Sequence, residues 1–477
     1  MYRFKTSDGK TFKTLDSRDY FSNYSVNTII TVSESSIIRA VPDDFLGFSI
    51  SQDYRLNTFM QNLATYPQLT QLFLNLKPAI LRVGGTPGDY NDPLCAKWEP
   101  DGAAVFGGTP WYRSIFTKAY VDTIFSFLQT IGWKAIWQLN LAVNNPSMYA
   151  DEANYIYQKW GSRIVSFDIG NEPEAYVLHN DRSTGYGYPD YKIEWESYKT
   201  AIKSLNPNTP LAGIDSYVTF DWLRQFAIDE HTNIAFISKH FYPTDAKKTG
   251  DEAPTIDNLL SQSLVDKTIT RIQTFASTEV SYGLQTAITE TNSTSSSGTD
   301  GVSNVFASAL WGLDYMFTAL ELGIKCMNFH GAGSDTGYYK PFDQYGIVYP
   351  IYYAFLAFCH AAPNGNSVLT RYISDCNVRS HAVVGADGKL RVVIINKDIE
   401  TDAKLKIVPS GVYSSASAMF LSAPSVSSAT GTTFGGMAVS ELDGTWQAGI
   451  PSAVQTINGS AYLTVPKASA AVVTFTS

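Results

Sequence analysis

The sequence predicts an α/β protein in which a (β/α)8 TIM barrel is joined to an all-β sandwich. Three observations lead there. Eight short apolar runs alternate with amphipathic helical segments across residues 45–362, no glycine-rich phosphate loop follows the first run, and after Pro363 the texture changes to short alternating strands. Strand and helix repeating over that length fit a parallel barrel. The missing loop counts against the competing arrangement, a nucleotide-binding doubly wound sheet.

Residues 1–44 are read as an N-terminal arm, polar and without clear period to about Ser25, followed by a strand or hairpin half over 27–40 that has the texture of the sandwich. The barrel then begins with a strand at 45–50, a helix at 58–76 and a strand at 78–83. Apolar spacing of 3.6 residues marks further helices at 120–131, 147–160, 191–205, 220–228, 256–275, 302–322 and 351–361. Between them, β-branched and aromatic runs mark strands at 134–140, 164–169, 210–214, 234–239, 284–289 and 324–329. In the sandwich, 363–477, the segments 380–384 and 390–396 alternate around Asp387-Gly388, a hairpin signal.

Composition narrows the function classes. A chain of 477 residues with 44% hydrophobic content can bury a large core, and one large plus one smaller domain is the natural division. The net charge of −9, without a basic cluster, excludes nucleic acid and anionic membranes as expected partners. No apolar run reaches the length of a membrane span, and residues 1–13 lack the apolar centre of a signal peptide. The Ser/Thr/Tyr-rich, lysine-poor composition has a secreted character. Cys95, Cys326, Cys359 and Cys376 show no C-x-x-C spacing, and the 6 histidines show no ligand spacing, so neither a metal nor any other cofactor is expected. The 64 aromatic residues (29 Tyr, 26 Phe, 9 Trp) mostly fill the core and also offer flat faces on which sugars stack.

The chemistry is read from two strand ends. Ile164-Val165-Ser166-Phe167-Asp168-Ile169 runs into Gly170-Asn171-Glu172-Pro173, and Pro173 has no amide hydrogen to extend the ladder, so the strand stops beside Glu172. Leu284-Gln285-Thr286-Ala287-Ile288-Thr289 runs into Glu290 in the same way. One such glutamate is ordinary. Two at the C-terminal lip of one barrel form the pair that glycosidic bond cleavage needs, one as acid and base and the other as nucleophile.

The ordered motifs Phe45-Leu46-Gly47-Phe48-Ser49, Leu81-Arg82-Val83-Gly84-Gly85-Thr86, Gly170-Asn171-Glu172-Pro173, Thr289-Glu290-Thr291-Asn292 and Asn328-Phe329-His330-Gly331 resemble glycoside hydrolase family 79, the retaining β-glucuronidases and heparanases of the clan A barrel glycosidases. That resemblance covers nearly the whole chain. It implies Glu172 as general acid/base and Glu290 as nucleophile, with Arg82 stabilising the latter, Asn171 binding the sugar 2-hydroxyl and Tyr242 of Lys239-His240-Phe241-Tyr242-Pro243 holding the nucleophile. His240 supports that site or is a satisfied core histidine. Asn140, Asp89 and Gln52 stand at or just past strand ends as candidate sugar-hydroxyl ligands.

There is one departure. Family members carry a tyrosine five residues after the nucleophile and a glycine two beyond it, which grip the uronate carboxylate; here those positions are Ser295 and Ser297. Backbone amides of 293–298, with Tyr339 or Lys340 from the loop after strand eight, are the expected substitutes. The function expected is retaining hydrolysis of β-linked glycosides, with β-D-glucuronides as substrates. A neutral glycoside such as a β-glucoside or rhamnosyl-glucoside, or a non-catalytic carbohydrate-binding barrel, is the alternative.

Overall fold

The computed structural model describes residues 3–5, 11–13, 25–217, 220–280 and 282–477. Eight parallel strands close into a barrel in sequence order: Leu46–Ser51, Ile80–Gly84, Lys134–Leu139, Ile164–Ile169, Leu211–Ser216, Ile237–Phe241, Thr286–Thr291 and Met327–His330, the last pairing with the first. Nearly all their residues are buried, as strands covered on both faces require. Ile80, Ile136, Ala212, Ala287 and Cys326, with Phe236, form an apolar cluster near the strand beginnings. Two residues further on, at the same side-chain phase, come Arg82 and Gln138. The barrel interior therefore changes from apolar to polar toward its C-terminal lip.

Several boundaries differ from those expected. The helix at 58–76 is two, Tyr54–Thr65 and Gln68–Leu74, because Pro67 cannot carry the first one's hydrogen-bond ladder onward. The helix at 256–275 divides into Ile256–Leu260 and Gln262–Val280 at Ser261, whose backbone is extended and whose hydroxyl caps the second helix by accepting from the Leu264 amide. Strand six starts three residues later and ends two residues later than expected, which brings His240 within it beside Lys239.

Thr28–Ala40 is one strand of an all-β unit, lying antiparallel to Gly365–Ser374 and parallel to Ala403–Pro409. Of the arm expected before it, only the antiparallel pair Arg3–Lys5 and Thr11–Lys13 is described. The hairpin Val378–Gly385 and Leu390–Asn396 forms with Asp387-Gly388 in its connection. Leu390–Asn396 is buried at every position: Leu390, Val392 and Ile394 face the sandwich core, whereas Val393 and Ile395 pack into the barrel's cluster. The same cluster holds the helices Phe306–Glu321 and Pro350–Ala361, so barrel and sandwich share one apolar interface. Asp314 of the first helix is tied there to Arg379, His381 and Lys397 of the sandwich.

Candidate active site

The turn after strand four aims Glu172. Gly170 has φ 91° and Glu172 itself φ 50°, a left-handed conformation that costs a non-glycine residue about 1–2 kcal/mol and is found at sites where the surroundings dictate it. The Glu172 amide donates to the Asp215 carbonyl (3.1 Å) across strand five, and Pro173 starts a short 3-10 turn. Strand seven delivers Glu290 directly. One carboxylate oxygen of each glutamate and a ring nitrogen of His240 all lie within 4.8 Å of one another. The cleft that they face has a volume of about 830 Å³ and is also walled by Tyr217, Lys239, Tyr242, His330 and Tyr339.

The two carboxyls stand in unlike surroundings. Tyr242 Oη donates to Glu290 Oε1 (2.8 Å) and Arg82 Nη1 to Oε2 (2.8 Å), with His330 Nδ1 3.7 Å from Oε2. Burial pushes Glu290 up, but the charges of His330, His240 and Arg82 and the Tyr242 hydrogen bond outweigh it and bring the pKa down to about 2. Glu172 is raised instead, by burial first and by the nearby Glu290 charge, even though the hydrogen bond from His240 pulls it back. His240 Nδ1 engages Glu172 Oε1 (2.7 Å), and no other hydrogen bond among the described residues reaches Oε2.

Arg82 is fully buried and organises the floor. Its Nη2 donates to Asn171 Oδ1 (2.6 Å), Asp215 Oδ2 (2.7 Å) and Gln138 Oε1 (3.2 Å). Burial draws the guanidinium down, and the charges of Asp215 and Glu290 more than restore it. Asp215 comes inward because strand five shifts register between Ile214 and Ser216, with Asp215 at φ 55°. It is held well below the usual carboxylate range: burial opposes ionisation, but Arg82, His240 and the Thr289 hydroxyl (2.6 Å) prevail. His240, which burial alone would lower, is raised to about 9 by Glu290 and Asp215, its Nε2 lying 3.5 Å from Asp215 Oδ2. Asp168 is driven up by burial and by the Asp215 charge, so it is the neutral partner of that pair. The cations Arg82 and His240 then balance the anions Asp215 and Glu290, with Glu172 neutral and His330, which burial lowers, adding charge only when it takes a proton.

Asp215, His330, Gln138 and Asp168 carry no role in the sequence reading. The signal for Asp215 was present, since Gly213-Ile214-Asp215-Ser216 is another apolar run ending in a carboxylate, and His330 lies inside a motif already quoted.

Four expected ligands are corrected. Asp89 is buried beneath the cleft and spends its oxygens on the amides of Leu141, Ala142 and Asn171 and on the Tyr176 hydroxyl. Asn140 is buried and bonded to the carbonyls of Tyr90 and Cys95 and the Val143 amide. Gln52 is buried with its amide on the Gln138 carbonyl. Lys340 lies over the Tyr349 ring (5.6 Å) and donates to the Asp335 carbonyl, outside the cleft wall. These groups hold loops in place because each strand-end polar side chain that turns under the rim must find a protein partner. Ser295, Ser297 and Tyr339 do line the cleft, and Tyr339 stacks on Tyr242 at 6.2 Å between ring centroids. Ser296, Ser297 and Gly298 all have positive φ, and the Gly298 amide is taken by the Ser295 carbonyl, which leaves fewer donors for an anion nest than the sequence suggests. The clustering of His240 and His330 beside the glutamates, invisible in sequence spacing, also follows from the barrel.

The fold, a closed parallel barrel with an all-β unit, is shared with solved glycosidases. A 4-O-α-L-rhamnosyl-β-D-glucuronidase from Fusarium oxysporum aligns over 93% of this chain and 100% of its own with a TM-score of 0.75 and 16% identity. A family 51 α-L-arabinofuranosidase from Bifidobacterium longum aligns over 94% and 100%, with a TM-score of 0.72 and 14% identity. In sequence the chain is similar to mouse heparanase, 24% identical over 358 residues, and to the β-glucuronidase of Aspergillus niger, 26% identical over 358 residues. Those matches cover 62% and 64% of this chain, and the chain spans just under two thirds of each relative, 64% and 63%. No family model matches the chain. The curated relatives are nevertheless heparanases and β-glucuronidases, the group that the motifs resemble, glycoside hydrolase family 79.

Proposed function

We propose that the protein is a retaining glycoside hydrolase that cleaves β-linked glycosides, with β-D-glucuronides as substrates. The observation that carries this reading is the pair Glu172 and Glu290, whose nearest oxygens are within 4.8 Å across the cleft while their protonation preferences diverge. Retaining enzymes place their carboxyls at about 5–5.5 Å, whereas inverting enzymes need about 6.5–9.5 Å to admit a water.

In the first step Glu290, ionised and oriented by Tyr242 and Arg82, attacks the anomeric carbon. The C1–O bond breaks, and the leaving oxygen takes the proton of Glu172, carried on Oε2 while Oε1 stays on His240. Glu172 is then an anion beside cationic His240, a base ready to take a proton from water. That water attacks C1, the bond to Glu290 breaks, and Glu172 regains its proton. Asn171, its oxygen accepting from Arg82 and its amide nitrogen 3.2 Å from Thr86 Oγ1, is assigned the 2-hydroxyl in this reading by the motif resemblance.

Ser295 and Ser297, and the withdrawal of Lys340 from the cleft, favour a neutral sugar as the second reading. Turnover of nitrophenyl β-glucuronide, β-glucoside and β-xyloside decides between them. The glucuronide is expected to lead in kcat/KM by about tenfold or more, about 1.4 kcal/mol of transition-state binding. A lead for the β-glucoside would overturn the uronate assignment and leave the retaining chemistry standing.

A further inference from the structure

We propose that Arg55 is the residue that reads a negative charge on the C5 substituent of the sugar held between the two glutamates. The proposal rests on the glycosidase reading above and deepens it. Asp53 caps the helix Tyr54–Thr65, and its fully buried carboxylate also grips the Arg55 guanidinium through Nε and Nη2. The fork is thereby fixed, and among the described residues no hydrogen bond engages Nη1. A guanidinium held from behind by one carboxylate presents its remaining N–H groups to a second in a fixed direction, with little rotamer freedom left to lose.

Arg55 forms part of both the cleft wall and a side recess of about 40 Å³ that it shares with Ser297, His330, Thr336 and Tyr339. At roughly 10–15 Å³ per water-sized group, the recess has room for about three heavy atoms, the size of a carboxylate or hydroxymethyl. It borders the nucleophile: His330 is 3.7 Å from Glu290, and Tyr339 stacks on the Tyr242 that donates to it.

The direction of the sugar follows from its ring. With C1 between Glu172 and Glu290, C2 lies on one flank and the ring oxygen and C5 on the other. Asn171, in the turn after strand four and tied to Arg82 and Thr86, is the residue proposed above to meet the 2-hydroxyl and so marks the C2 flank. The C5 substituent is directed to the opposite flank, formed by strands seven, eight and one, where the recess opens. Of the other cations of the cleft, His240, Lys239 and Arg271 are engaged by protein groups. Lys239 donates to the Ser216 carbonyl, and Arg271 pairs with Glu252. Lys247 and Lys248 stand exposed in the loop after strand six.

The test compares nitrophenyl β-glucuronide with nitrophenyl β-glucoside. Because Arg55→Gln alone would leave the buried Asp53 unpaired, the double variant Asp53→Asn/Arg55→Gln is measured with Arg55→Lys. The double variant is expected to lose about 10- to 100-fold in kcat/KM on the glucuronide, the factor of a charge-assisted hydrogen bond, and less than about threefold on the glucoside. Arg55→Lys should fall between. Equal losses on both substrates, or an unchanged glucuronide rate, would overturn the proposal, as would a wild type that turns over only the glucoside. If wild type hydrolyses neither, the glycosidase reading falls. Calorimetry with free glucuronate then decides: binding that the double variant abolishes supports Arg55, and binding that is absent or unaffected refutes it.

Discussion

Glu290→Gln is expected to lower kcat by about 10⁴-fold or more while substrate still binds with nearly its original affinity. The amide keeps the shape of the carboxylate; its single oxygen can still accept from Arg82 Nη1, and the NH2 that replaces the other oxygen can donate to the Tyr242 hydroxyl, so most of the ground-state contacts survive. What it lacks is the charge that forms the bond to C1. The environment of Glu290 exists to keep that charge: with a pKa of about 2, it is ionised at every pH above the strongly acidic range. The sign follows directly. A nucleophile with a depressed pKa loses function only as the pH falls through that value, so the acidic limb of the wild-type rate profile should lie well below the range of an ordinary glutamate. The alkaline limb should report Glu172, which is raised and must carry a proton. Residual activity of Glu290→Gln within tenfold of wild type would remove Glu290 from the mechanism.

Glu172→Ala should produce a different pattern, because the acid is needed in proportion to how badly the leaving group needs a proton. Poor leaving groups such as alkyl glycosides should lose about 10²–10⁴-fold, the range of general acid catalysis, in the step that releases them. Activated nitrophenyl glycosides need little protonation, so that step should be nearly spared and the intermediate should accumulate for want of a base. Azide, small enough for the space vacated in front of His240, should then restore turnover of the activated substrate and yield a β-glycosyl azide. Equal losses for good and poor leaving groups, with no effect of azide, would remove Glu172 from the acid/base role.

Much of this architecture was legible in the chain. Short apolar runs of β-branched and aromatic residues located all eight barrel strands, and two of their polar endings brought Glu172 and Glu290 to one lip. Illegible features depend on side-chain phase and on contacts between distant strands. Asp215 turns inward only because strand five changes register beside it, a local slip that periodicity does not report. Asp89, Asn140 and Gln52 look like ligands in one dimension, because a strand-end polar residue reads the same whether it faces a substrate or supports a loop. Arg55 lies before the helix start expected at 58 and in no motif; the role proposed for it rests on the buried Asp53 behind it and the recess in front. Lys340 fails for the reverse reason, since a long side chain in the right loop still chose the face of Tyr349.

The most direct test of the central claim is the anomeric configuration of the first-formed sugar, followed by proton NMR as the wild-type enzyme cleaves an aryl β-glycoside that it turns over. Two displacements, the first by Glu290 and the second by water assisted by Glu172, predict that the β anomer appears first and only then mutarotates toward equilibrium. An α anomer as the initial product would mean a single displacement by water, and would contradict the covalent role assigned to Glu290.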